Sequence, residues 1–223
     1  MKTSSYKIEN FDAIIYDMDG LIVDSEPLWQ QAEIEVFRLV DINLTKELCE
    51  TTKGLRIDEV IKHWFQISPW SKMTQKSLEQ KVVDRLIELI KSDSKLLPGV
   101  KESLSFFKEK KLKIGLASAS YYKIIDSVLK THNLNTQFDL VYSAEDERYG
   151  KPHPGIFISA AQKLNTDIAR CLILEDSLNG VLAAKSARAK CIAVPATNEF
   201  DNPKFAIADK KLKSLSELIN YFN

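Results

Sequence analysis

Five short, almost wholly apolar runs punctuate the chain: Ala13 to Tyr16, Lys113 to Ala117, Asp139 to Tyr142, Cys171 to Leu174 and Cys191 to Val194. Between them lie segments of helical length with apolar residues at helical spacing, from Val100 to Lys110, Tyr122 to Lys130, Pro154 to Lys163 and Leu178 to Ala187. Strands that lack polar alternation, separated by amphipathic helices, predict a parallel sheet covered on both faces. The expected fold class is therefore α/β, a doubly wound, Rossmann-like core. The stretch from Pro27 to Leu96 breaks the alternation. Leu28 to Val40, Arg56 to Trp64 and Thr74 to Lys91 each repeat apolar residues with a helical period, and no convincing strand interrupts them. An all-helical insert is expected over residues 27–96, entered near Asp24 and left near Leu97-Pro98-Gly99. Residues 1–26 and 97–223 would form the α/β core.

Ligands of open α/β sheets bind beyond the carboxyl ends of the strands, so the residues that follow each apolar run are the informative ones. Asp17-Met18-Asp19-Gly20 follows the first run and Ser118-Ala119-Ser120 the second. Glu175-Asp176-Ser177 follows the fourth, and the loop after the third contains Gly150-Lys151-Pro152-His153-Pro154. One sheet edge would thus gather four acids, a lysine and small hydroxyl residues. Burying several carboxylates together is costly unless a cation compensates, and magnesium suits an all-oxygen site of that kind. Ser118, the backbone around Ala119 and the Lys151 ammonium supply the opposite sign, as a phosphate cradle requires. Each piece also has a plainer reading. Asp near Gly commonly caps a helix or forms an Asx turn, and Ser118 could serve only as an N-cap.

Composition narrows the partner. Lys plus Arg total 31 and Asp plus Glu total 31, so no basic excess exists for a nucleic-acid backbone or an anionic membrane. No apolar run approaches the length of a membrane span, and residues 1–10 lack the apolar core of a signal peptide. Cys49, Cys171 and Cys191 are scattered, without zinc-like spacing, as in a reduced cytoplasmic protein. A monomer is the default expectation.

Taken together and in this order, the four sets resemble the haloacid dehalogenase-like superfamily of phosphohydrolases, over essentially the whole chain. The phrases running from Asp17 to Trp29, Gly54 to Asp58 and Leu116 to Ser120 look further like the bacterial hexitol phosphatases, also described as 2-deoxyglucose 6-phosphate phosphatases. The same holds for Leu97-Pro98-Gly99-Val100 and for Glu175 to Gly180. The resemblance implies that Asp17 attacks phosphorus to form an aspartyl-phosphate and that Asp19 serves as acid, then base. It implies Mg2+ held by Asp17, the Asp19 carbonyl and Asp176, with Glu175 assisting, and phosphoryl oxygens held by Ser118 and Lys151. The helical insert would be the family's mobile cap. On it, Lys53, Arg56 and Glu26 are candidates for contact with the substrate, a small phosphorylated metabolite.

Rival chemistries leave marks at particular positions. Phosphoglucomutases of the same fold carry a histidine ten residues beyond the second motif aspartate, where this chain has Trp29. Dehalogenases lack the second aspartate, present here as Asp19, whereas a phosphonate hydrolase would use a cap lysine, for which Lys53 is available. A binding module without activity would have lost Asp17 or Asp176, and both are intact. Trp29, Trp64 and Trp70 could line a sugar site, but aromatic residues in a small helical bundle are more often core.

Overall fold

The computed structural model describes residues 6–222. Among these the sheet has six parallel strands in the order β3-β2-β1-β4-β5-β6. They are β1 (Ala13–Tyr16), β2 (Lys113–Ser118), β3 (Leu140–Ser143), β4 (Cys171–Glu175), β5 (Lys190–Ala193) and β6 (Lys210–Lys211). This is the strand order of a doubly wound fold, with its switch point where β1 lies between β2 and β4. The five predicted runs become β1 to β5. The two-residue β6 was missed, because Lys210-Lys211 has no apolar pattern and is held only by pairing with Ile192 and Ala193.

Period-two alternation sends neighbouring residues to opposite faces. Ile14, Tyr16, Ile114, Leu116, Leu172 and Leu174 enter one apolar cluster, with residues of α5 (Val100–Glu109) and α6 (Tyr122–Thr131). Ala13, Ile15, Ala117 and Ile173 enter a second cluster, with residues of α7 (Gly155–Lys163) and α8 (Leu178–Ser186). A short α9 (Leu218–Phe222) closes over the first face, where Phe222 packs edge-on to Phe107.

Between β1 and α5 the chain is helical: α1 (Glu26–Phe37), α2 (Lys46–Glu50), α3 (Ile57–Ile67) and α4 (Gln75–Asp93). The five-residue α2 was not foreseen, being too short to show a period; Thr45 caps it by accepting from Leu48 N. Leu78, Val82, Val83 and Leu86 of α4 pack with Leu28, Ala32 and Val36 of α1 in the first apolar cluster. The two segments joining these helices to the sheet run side by side. Asp24 N donates to Lys95 O and Leu97 N to Ile22 O, each at 2.9 Å, and Val23 bridges Leu96 antiparallel. Backbone hydrogen bonds therefore tie the entrance of the helical unit to its exit.

The exit is completed by Gly99, at φ +89°, immediately before α5. A Cβ there would overlap the backbone of Leu215 and Ser216, and L-residues other than glycine avoid this region. Gly99→Ala should lower stability by about 3 kcal/mol, a drop of roughly 10 °C in Tm on thermal unfolding. A loss below about 1 kcal/mol would mean that the close approach at Ser216 relaxes freely.

Candidate active site

The backbone places the chemistry at the switch point. Asp17 extends β1 by one residue, its N–H donating to Leu174 O at 3.0 Å, while Glu175 O accepts from Val194 N at 2.7 Å. Carboxyl groups thus sit at the ends of two adjacent strands, β1 and β4. Lys151, from the loop before α7, reaches between them and donates to Asp17 Oδ1 at 2.7 Å and Glu175 Oε1 at 2.5 Å. Asp17, Lys151, Glu175 and Asp176 are all buried. Glu175 Oε2 also accepts from Ser177 N and Ser177 Oγ, at 2.9 and 3.0 Å. That position leaves no room for a side chain at residue 180, where a Cβ would overlap the Glu175 carboxylate.

Charge in this cluster is not balanced. Asp17, Glu175 and Asp176 each offer an oxygen within 4.8 Å of the others. Against three carboxyl groups stands one buried ammonium, with Lys53 Nζ farther off, 3.9 Å from Asp176 Oδ2. Burial pushes the Asp17 carboxyl up to about 7, the Lys151 charge opposing it and Glu175 and Asp19 adding to it. Asp176 is raised well above the carboxylate range, by burial first and then by Glu175 and Asp17. Burial pulls the Lys151 ammonium down, but Asp17 and Glu175 outweigh that and keep it charged. Surplus buried carboxylate oxygen with a single ammonium is a donor set that fits a hard divalent cation.

Asp19 stands apart from this cluster and is held by four donors. Ser25 Oγ and Trp29 Nε1 donate to its Oδ1, at 2.6 and 3.1 Å. Ser118 Oγ and Ser120 Oγ donate to Oδ2, at 3.2 and 2.7 Å. Two of these donors come from the core and two from the entrance of the helical unit. Above Asp17 and Asp19 opens a cleft walled by α1, α3 and the turn between α2 and α3.

Residues 14–194 match the family model described as haloacid dehalogenase-like hydrolase. The chain belongs to that family. It is 44% identical to "Hexitol phosphatase B" of Escherichia coli (strain K12) over 208 residues, covering 92% of this chain and 93% of that protein. Among solved structures, CbbY from Rhodobacter sphaeroides in complex with phosphate superposes with a TM-score of 0.86 at 25% identity, covering 93% of this chain and 96% of that one. A β-phosphoglucomutase from Clostridium difficile shares the fold, with a TM-score of 0.83 at 24% identity, covering 96% and 97%.

In this haloacid dehalogenase-like hydrolase most of the residues singled out from the sequence converge. Asp17, Asp19, Lys151, Asp176, Ala119, Lys53 and Glu26 line the cleft. Ser118 is fully buried beneath it, its hydroxyl donating to Asp19 and accepting from Ser120 N. Arg56 does not reach the cleft. Its Nη1 donates to Ala144 O and Glu147 O, at 3.1 and 2.8 Å, and Nη2 to Asp58 Oδ2 at 3.0 Å. Arginine at a helix start was read as free to meet substrate, but here it ties α3 to the loop after β3. Trp64 and Trp70 are packed among apolar neighbours as expected. Trp29 is not merely core, because it lines the cleft and holds Asp19. Its ten-residue spacing from Asp19 was the available signal. Gln30 and Glu33, also in the cleft wall, were read only as positions on an amphipathic helix. Among the described residues no helix is long and apolar enough to cross a membrane.

The helical wall has its own electrostatics. Burial raises Glu33 to about 7, its contact with Cys49 opposing and Glu26 adding to the shift. Unfolded, the same carboxyl titrates near 4.3, so between these values the folded chain holds a proton that the unfolded chain has lost. Stability therefore falls as pH rises through this window, by up to about 3 kcal/mol from this group. Glu33→Gln should match the parent near pH 4 and exceed it at pH 8 by roughly 3–10 °C in Tm, measured by thermal unfolding without metal. A difference that does not change with pH would assign the effect to packing instead.

Proposed function

We propose that this phosphoric monoester hydrolase is a magnesium-dependent phosphatase for small sugar and sugar-alcohol phosphates, acting through an aspartyl-phosphate. The observation that carries the reading is the buried set Asp17, Lys151, Glu175 and Asp176 at the switch point, with Asp19 beside it. The similarity to a hexitol phosphatase over most of both chains supports the substrate class.

Asp17 is the nucleophile. One of its carboxylate oxygens attacks phosphorus, the ester oxygen departs with a proton from Asp19, and the phosphoryl group is left on Asp17. Asp19 then takes a proton from water, which attacks the same phosphorus and frees Asp17 and inorganic phosphate. Dividing one difficult displacement into two suits a carboxylate nucleophile. Lys151 opposes the burial that raises Asp17, points its attacking oxygen and neutralises the incoming phosphate. Asp17, Asp176 and the Asp19 carbonyl would hold magnesium, with Glu175 in support. The bound cation would supply charge neutralisation for the phosphoryl oxygens. Residues 27–96 act as the cap, excluding water and carrying the substrate contacts, and the enzyme works in the cytoplasm as a monomer.

The rival mutase reading meets Trp29. An imidazole at that position could accept a proton from an incoming sugar hydroxyl, whereas an indole only donates. Its N–H is already committed to Asp19.

Phosphate release should be followed from hexitol phosphates, 2-deoxyglucose 6-phosphate, glucose 6-phosphate, β-glucose 1-phosphate and a nucleotide. Magnesium-dependent release is expected from the hexose and hexitol esters, lost by at least about a thousandfold in Asp17→Asn. Magnesium should also raise the Tm of the parent protein and not that of Asp176→Asn. Conversion of β-glucose 1-phosphate to glucose 6-phosphate without release would make the enzyme a mutase.

A further inference from the structure

Helix α1 carries a polar stripe that the phosphate chemistry does not use. Glu26, Gln30 and Glu33 are spaced i, i+4, i+7, so they share one helix face, and all three line the cleft. Gln30 Nε2 donates to Glu50 Oε1 at 2.8 Å and more weakly to Glu26 Oε1 at 3.4 Å. Glu33 is only 6% exposed, and its Oε2 has no hydrogen-bond partner among the described residues. A buried carboxyl oxygen left without a partner is costly, and nothing in the packing of α1 on α4 requires one there. The cleft lining also has apolar members, Leu55, Ile57 and Val60.

We propose, building on the sugar-phosphate phosphatase reading, that Glu26, Gln30 and Glu33 form a ladder for the hydroxyls of an extended polyol chain. Glu33 takes the hydroxyl farthest from the phosphate. The stripe starts at the first residue of α1, beside the Ser25 that holds Asp19, and runs away from the phosphate-handling residues. Gln30 lies about 6 Å and Glu33 about 10 Å along the helix axis from Glu26. A six-carbon polyol extended from its ester oxygen covers a comparable distance, with a hydroxyl on every carbon. A three-carbon polyol stops short of Glu33. The C–H edge of such a chain would rest on Leu55, Ile57 and Val60. Burial also draws a proton onto Glu33 near neutrality, so that it can donate to a hydroxyl as well as accept. An ammonium-bearing substrate fits less well, because the middle rung is a neutral amide.

The test compares kcat/KM for sorbitol 6-phosphate and glycerol 3-phosphate, with magnesium present, in the parent enzyme and in Gln30→Met, Glu33→Met and Glu33→Gln. Glu33→Met should lose about tenfold or more on sorbitol 6-phosphate and less than about threefold on glycerol 3-phosphate. Gln30→Met should lose a similar factor on the longer ester. Glu33→Gln, which keeps a donor and an acceptor, should recover most of the loss. Should Glu33→Met fail to fold, Glu33→Ala carries the same comparison. Equal losses on both esters, no loss on either, or a parent enzyme that prefers phosphoethanolamine to sorbitol 6-phosphate would overturn the ladder and leave the phosphatase intact. A parent enzyme that releases phosphate from no ester would remove the reading on which the ladder rests.

Discussion

Three carboxyl groups buried around one ammonium is the arrangement on which this molecule turns. Each of Asp17, Glu175 and Asp176 would be cheaper in water, and Lys151 offsets only part of their repulsion. The surrounding fold is what holds them there. Two strand ends fix Asp17 and Glu175 through backbone bonds to Leu174 and Val194, so the sheet anchors the two side chains side by side. The bare Cα of Gly180 lets α8 start directly over Glu175. Cohesion comes from the apolar clusters on both sheet faces, and the polar edge spends some of it. A site strained toward accepting positive charge is a natural receiver for a cation and for the electropositive phosphorus that follows.

Much of this edge was legible from the chain because strand ends are marked by a sharp change from apolar to polar residues. Tyr16 to Asp17, Ala117 to Ser118 and Leu174 to Glu175 are such boundaries, and in a parallel sheet they converge of necessity. Lys151 was legible for another reason, its confinement in a Pro-rich loop. What the chain did not disclose lies in the helical unit. A helix period states that a residue is on the inner or outer face, but not whether the inner face meets a core or a cleft. Gln30 and Glu33 therefore looked like ordinary polar positions, and Trp29 like ordinary packing. Arg56 was misleading in the opposite direction: a cation near a cleft was expected to meet substrate, yet the carbonyls of Ala144 and Glu147 claim it. Backbone acceptors have no signature in a sequence.

Arg56 and Asp19 together describe how the helical unit is registered on the core. Arg56 joins α3 to the loop after β3, and Tyr121 OH, from the core, donates to Glu79 of α4 at 2.9 Å. The paired segments at Val23 and Leu96 form the third tie. None of these three ties uses the phosphate-handling residues that line the cleft. Any displacement of the helical unit must be felt at Asp19, since Ser25 and Trp29 move with α1 while Ser118 and Ser120 stay with the sheet.

The division of donors at Asp19 also makes its two oxygens unlike. Oδ1 accepts from the Trp29 indole, which can only donate, and from the Ser25 hydroxyl. Oδ2 faces only the hydroxyls of Ser118 and Ser120. A hydroxyl can turn and accept, so a proton on Oδ2 is accommodated by reversing a single serine. Ser118 Oγ already accepts from Ser120 N, and Ser120 Oγ, at the shorter distance, is the freer of the two to reverse. On Oδ1 the same proton would have to turn Ser25 while the indole N–H stays fixed on that oxygen. An imidazole in place of the indole would blur this distinction, because it could accept from Oδ1 as readily as donate. Trp29 thus fixes on Oδ1 a permanent donor that Oδ2 lacks.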